Sequence, residues 1–131
     1  MDKSIFEQYR TFVEGVTSEE SMNTNAMIDR ILELDKRINV ARMDTACNGI
    51  AGESGEINDL WKKIKFHGKP LNDENIEKMK AEVGDMFWYL LHLCVILDIS
   101  FEDAMISNIK KLETRYPGGK FSIERSENRI I

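Results

Sequence analysis

The sequence predicts an all-α fold, an antiparallel bundle of about four to five helices that associates into a homo-oligomer. Apolar residues recur at helical spacing, beginning with Ile5, Phe6, Tyr9, Phe12 and Val13. Extended β-branched runs are absent, and two prolines and eight glycines leave little room for a sheet-and-turn architecture. Met86–Leu97 is a twelve-residue apolar run broken only by His92. A helix apolar on every side is buried all round, which in a small protein points to a subunit interface.

Taken in order, the first helix spans Lys3–Glu14 and is broken by Gly15 and the polar stretch Thr17–Thr24. A shorter amphipathic segment follows, with Met27, Ile28, Ile31, Leu32 and Leu34 on one side. A long helix then runs from about Ile38 to Phe66. Within it, Gly49, Gly52 and Gly55 leave one flank bare enough for another backbone to approach. His67-Gly68-Lys69-Pro70 ends it, Gly68 as a left-handed cap and Pro70 as a stop. Asn72 is a good N-cap for the next helix, and Asp73 and Glu74 suit its first turn through the helix dipole. Ser100 with Asp103 resembles a capping box opening the last helix, Phe101 to Arg115, which Pro117-Gly118-Gly119 closes. No linker interrupts the chain. It reads as one domain over 1–131, with N-terminal helices at 1–36, catalytic helices at 37–116 and a polar tail at 117–131 carrying a few apolar anchors.

Length and composition suit a globular protein with a single core: 131 residues, 42% hydrophobic and 31% charged. The net charge of −5 argues against direct nucleic-acid binding. The longest apolar run is too short for a membrane span, and Met1–Arg10 is too polar for a signal peptide, so a cytoplasmic protein is expected. Cys47 and Cys94 form no CxxC and are expected to be reduced thiols.

The chemistry is concentrated in two words, Glu53-Ser54-Gly55-Glu56 and Glu82-Val83-Gly84-Asp85. Each stacks two carboxylates at i and i+3 on a helix face and accepts a glycine inside the helix, at a cost of about 0.5–1 kcal/mol. Glu56 lies ten residues before Phe66 and Glu82 ten after Asn72, so a short turn sets both pairs at one height in antiparallel neighbours. Asp85 stands twelve before Leu97 and Leu112 twelve after Ser100, which brings Asn108, Lys111 and Arg115 to the same level.

Carboxylates converging in this way suit Mg²⁺, with Mn²⁺ as a substitute, and the cations suit a phosphate substrate. The pattern points to metal-assisted hydrolysis of a phosphoanhydride. A single ExxE is ordinarily a solvated face, and Lys111 and Arg115 alone would be solvent cations at a helix end. The two matched acidic words shift both readings. Lys63, seven residues after Glu56, shares its face and could reach a phosphate, although a solvated lysine is the plainer reading. Tyr89 divides evenly between core packing and the wall of a base pocket, whereas Trp88 and Trp61 read as packing. His92 reads as a hydrogen-bonded core or interface histidine, and His67 as a helix end.

Gly49–Glu56, then Glu82–Asp85, then Asn108 through Pro117 resemble the MazG-type all-α nucleoside triphosphate pyrophosphohydrolases. Their ExxE and ExxD words are separated here by the twenty-five residues Ile57–Ala81. Trp61-Lys62-Lys63, His67-Gly68-Lys69-Pro70, Lys111–Phe121 and Ser126-Glu127-Asn128-Arg129 are similar to small single-domain phage members. The resemblance implies Mg²⁺-dependent hydrolysis of a nucleoside triphosphate, a deoxynucleotide by preference, to the monophosphate and pyrophosphate. It implies Glu53, Glu56, Glu82 and Asp85 as metal ligands. Asn108, Lys111 and Arg115 would face phosphates or sugar, with Tyr116 and Lys120 at the rim, in a homodimer or homotetramer. If the chain is phage-encoded, it would work in the host cytoplasm. Some relatives carry an extra glutamate before each word, where this chain has Gly52 and Ala81. The general base is then Glu53, the choice made here, or no separate base is needed.

Two other readings compete. A ferritin-like di-iron bundle needs Glu-x-x-His motifs, but Ile64 and Tyr89 stand three residues before the two histidines. A non-catalytic nucleotide-binding bundle conflicts with no residue.

Overall fold

A computed structural model describes residues 3–128. Arg129, the last residue of the family-like ending, lies outside the described residues. The described residues are helical without strands, in five helices of eleven residues or more and two short ones. The chain divides into two compact units, one up to Val40 and the other from Ala41 onward.

In the first unit, α1 spans Ile5–Gly15. Its start is fixed by a reciprocal box: Glu7 N donates to Ser4 Oγ at 3.2 Å and Ser4 N donates to Glu7 Oε2 at 2.8 Å. That cap places the helix start two residues after the Lys3 expected from periodicity. The polar stretch after it is not wholly irregular, because α2 forms a single turn at Glu19–Met22. Asn23 then caps α3, Thr24–Asp35, by accepting from Ala26 N at 3.0 Å. Val40 N donates to Asp35 Oδ1 at 3.0 Å where the next helix begins.

The second unit is built on α4 (Val40–His67), α5 (Asp73–Leu97) and α6 (Phe101–Arg115). Gly68, at φ 71°, ends α4 in the left-handed conformation that favours glycine. Asn72 opens α5 by accepting from Asn75 N, and Ser100 opens α6 by accepting from Asp103 N at 3.2 Å. Asp98 closes α5 with φ 52°, a left-handed residue that sequence periodicity does not signal. Gly118 and Gly119, at φ 82° and 70°, turn the chain after α6 so that Phe121 meets Tyr116 with ring centroids 5.7 Å apart. A last short helix, α7 (Ile123–Glu127), forms within the polar tail behind a Ser122 cap.

Helices α4 and α5 run antiparallel. Arg42 meets His92, Gly49 meets Tyr89, and Glu53 and Glu56 meet Glu82, so partners ascend one helix as they descend the other. Gly49 is required by the fold: a methyl group there would overlap the Tyr89 ring. The bare flank therefore receives an aromatic side chain rather than a backbone, and Gly52 and Gly55 have open space beside them. Helices α5 and α6 also run antiparallel around an apolar cavity of about 350 Å³, with Leu90 and Asn108 at one end and Leu97 and Phe101 at the other. Apolar burial among the described residues is confined to Val40, Ala46 and Cys94. Met86–Leu97 is thus not enclosed by the single chain; Phe87, Trp88, Leu91 and Val95 are about half exposed.

Candidate metal centre

The acidic words do meet at one height on α4 and α5. Glu53, Glu82 and Asp85 each offer a carboxylate oxygen, all within 4.8 Å of one another. Glu56 is outside that trio but lies against Glu82 at hydrogen-bonding range. Turn chemistry explains the meeting, since the Gly68 cap and the Asn72 cap fix the length of both arms.

Crowding of like charge sets the electrostatics. Glu56 holds its proton above the ordinary carboxylate value, chiefly through the hydrogen bond with Glu82 and then through its charge. The pKa of Glu82 is raised as well, first by its hydrogen bond with Glu53; the bond with Glu56 pulls the other way. Glu53 and Glu82 are half-buried, and Glu53 Oε2 is shut off from solvent with no hydrogen-bond partner. A buried carboxylate oxygen left unpaired is costly. A divalent cation would satisfy that oxygen and remove the repulsion together. The donors are all hard oxygens, which fits Mg²⁺ or Mn²⁺ rather than a thiolate- or imidazole-seeking metal.

The remaining sequence-predicted residues divide into separate groups. Asn108 lines the α5–α6 cavity beside Leu90 and Cys94. Lys111 is exposed; Arg115 is half-buried, and its Nε is enclosed without a hydrogen-bond partner. Neither cation forms an ion pair with the four acids among the described residues. Tyr116 and Lys120 line a second cavity of about 310 Å³ with Ile109, Leu112 and Phe121. Tyr89 packs on Gly49 and edge-on against Trp88, with ring centroids 4.8 Å apart.

Lys63 is bonded to Asp59, which also holds Lys62 at 3.2 Å. The two ammonium groups, Lys63 foremost, keep the Asp59 carboxyl below its ordinary value. Phasing Lys63 against Glu56 alone does not show this pairing; the i, i+4 spacing of Asp59 and Lys63 is its sequence signal. Nor does sequence spacing single out Arg42. Its Nε donates to His92 Nδ1 at 2.9 Å, which gives His92 the hydrogen bond expected of it.

Residues 42–120, more than half of the chain, match the MazG nucleotide pyrophosphohydrolase domain. The chain belongs to that family. All four acids, Asn108, Lys111, Arg115, Tyr116 and Lys120 lie within the matched span. It is also similar to the Gene 37 protein of Mycobacterium phage L5, 35% identical over 72 residues, which is 54% of this chain and 63% of that protein. The match therefore spans less than two thirds of the relative's length. No solved structure matches the chain.

Proposed function

We propose that this protein hydrolyses (deoxy)nucleoside triphosphates to the monophosphate and pyrophosphate with Mg²⁺, and so controls a nucleotide pool. The observation that carries the reading is the meeting of Glu53, Glu82 and Asp85, with Glu56 beside them, in a chain of the pyrophosphohydrolase family. Those four carboxylates would hold the metal. When bound, Mg²⁺ supplies positive charge to the phosphates and polarises a phosphoryl oxygen.

The chain's own residues do the rest. Water adds across the α–β phosphoanhydride; its oxygen bonds to phosphorus, the bridging P–O bond breaks, and one proton is released. Glu53 is our choice to take that proton, through the carboxylate oxygen that the metal leaves free. Arg115, with an enclosed and unpartnered Nε, and Lys111 on the same helix would bind phosphate oxygens. Asn108, Tyr89, Tyr116, Lys63 and Lys120 complete the substrate set.

The reading includes a homodimer or homotetramer. Phe87, Trp88, Leu91 and Val95 support it, since each is about half exposed and covering the remainder is worth about 1 kcal/mol apiece. Among the described residues no helix is long and apolar enough to cross a membrane, and a cytoplasmic setting, that of the host for a phage product, suits a nucleotide substrate.

The test is to incubate the purified protein with each dNTP and Mg²⁺ and to follow pyrophosphate. Release of pyrophosphate that Glu56→Gln abolishes is expected. Nucleotide binding with no product from any canonical or modified triphosphate would instead support the non-catalytic bundle.

A further inference from the structure

Asp59 is set apart from the other acids in ion pairs. It grips two cations at once, Lys62 through Oδ1 and Lys63 through Oδ2. The Asp59–Lys63 pair is also the least exposed of the described ion pairs, with side chains 43% and 38% exposed. Its position on α4 follows from helix geometry. Asp59 lies one turn beyond Glu56, and Lys63 one turn beyond Asp59, so Lys63 returns to the face of Glu56 about 10 Å along the axis.

We infer that Asp59 is a positioning residue, whose doubly held carboxylate fixes the Lys63 ammonium on the α4 face that continues from the acidic centre, ready for the polyphosphate of the substrate. Both Asp59 oxygens are used, so the carboxylate is held from two sides, and Lys63 is biased toward one position. An ammonium has three donors; Asp59 takes one and leaves two for phosphate oxygens. A free lysine loses substantial rotamer freedom when it binds, and Asp59 has already removed much of that freedom. The effect is on substrate capture, and the inference rests on the hydrolase reading above.

The test compares kcat and KM for the best dNTP with Mg²⁺ in the wild type, Asp59→Asn, Asp59→Glu, Lys63→Gln and the double variant Asp59→Asn/Lys63→Gln. Asp59→Asn is expected to raise KM about five-fold, below the ceiling for freezing one lysine, with kcat unchanged. Asp59→Glu should recover most of the loss, and the double variant should be no worse than Lys63→Gln alone. Effects that multiply in the double variant, or a KM unmoved by Asp59→Asn, overturn the inference while leaving the hydrolase reading intact. A wild type without hydrolysis overturns the hydrolase reading, and this inference with it.

Discussion

Among the described residues, helices α4 and α5 meet through polar side chains at two places that are opposites in character. Toward the start of α4, Arg42 Nε donates to His92 Nδ1 at 2.9 Å, a matched donor and acceptor. Three to four turns further on, Glu53, Glu56, Glu82 and Asp85 bring four carboxylates together, and one buried oxygen has no partner. Gly49 and Tyr89 lie between them and press the helices close. A contact selected for stability alone would resemble the first. The second lowers stability by itself, and a divalent cation would offset its repulsion.

Substitutions at the two ends should therefore separate activity from stability. The largest effect is expected from Glu56→Gln or Glu82→Gln, which should reduce pyrophosphate release more than about 100-fold, beyond the loss of a supporting partner of a metal ligand. Steady-state rates at saturating Mg²⁺ and dNTP measure this. Next, Gly49→Ala forces a methyl against the Tyr89 ring and should destabilise by about 1–3 kcal/mol in urea unfolding. Arg42→Ala leaves His92 Nδ1 without this donor and should cost about 1–2 kcal/mol in the same assay, with hydrolysis retained.

The smallest effect is a pH dependence confined to the acidic end. Folding raises the pKa of Glu56 and Glu82 above the ordinary 4.5, so the folded state binds more protons than the unfolded chain between 4.5 and the raised values. Metal-free stability should therefore fall as pH climbs through that window, with the full penalty standing above it. Thermal midpoints should show this decline in the wild type, a smaller one in Glu82→Gln, and recovery when Mg²⁺ is added at neutral pH. A midpoint that rises steadily with pH through the window would contradict the assigned repulsion.

The acidic end was legible in the sequence because two local signals located it. Gly68 and Asn72 mark the ends of α4 and α5, and counting back ten residues on each side pairs Glu56 with Glu82. The Arg42–His92 end was half legible. His92 was expected to be hydrogen-bonded, but its partner lies fifty residues away on another helix, where no short-range pattern identifies it. The glycines were read less well. Gly55 and Gly84 have nothing within 4 Å, so the acids meet through long side chains and not because the backbones touch there. The cations show the same limit. Helix register leads one to expect Lys111 and Arg115 at the height of the acids, but side-chain reach is set by packing that spacing does not record.

Binding of Mn²⁺ to the metal-free protein, read from loss of the free-ion electron paramagnetic resonance signal, tests the acidic end most directly. The wild type should take up Mn²⁺, Mg²⁺ should compete it off, Glu82→Gln should bind far more weakly, and Arg42→Ala should match the wild type. Uptake that Glu82→Gln leaves unchanged, or no uptake at neutral pH, would show that the four carboxylates are not a metal centre.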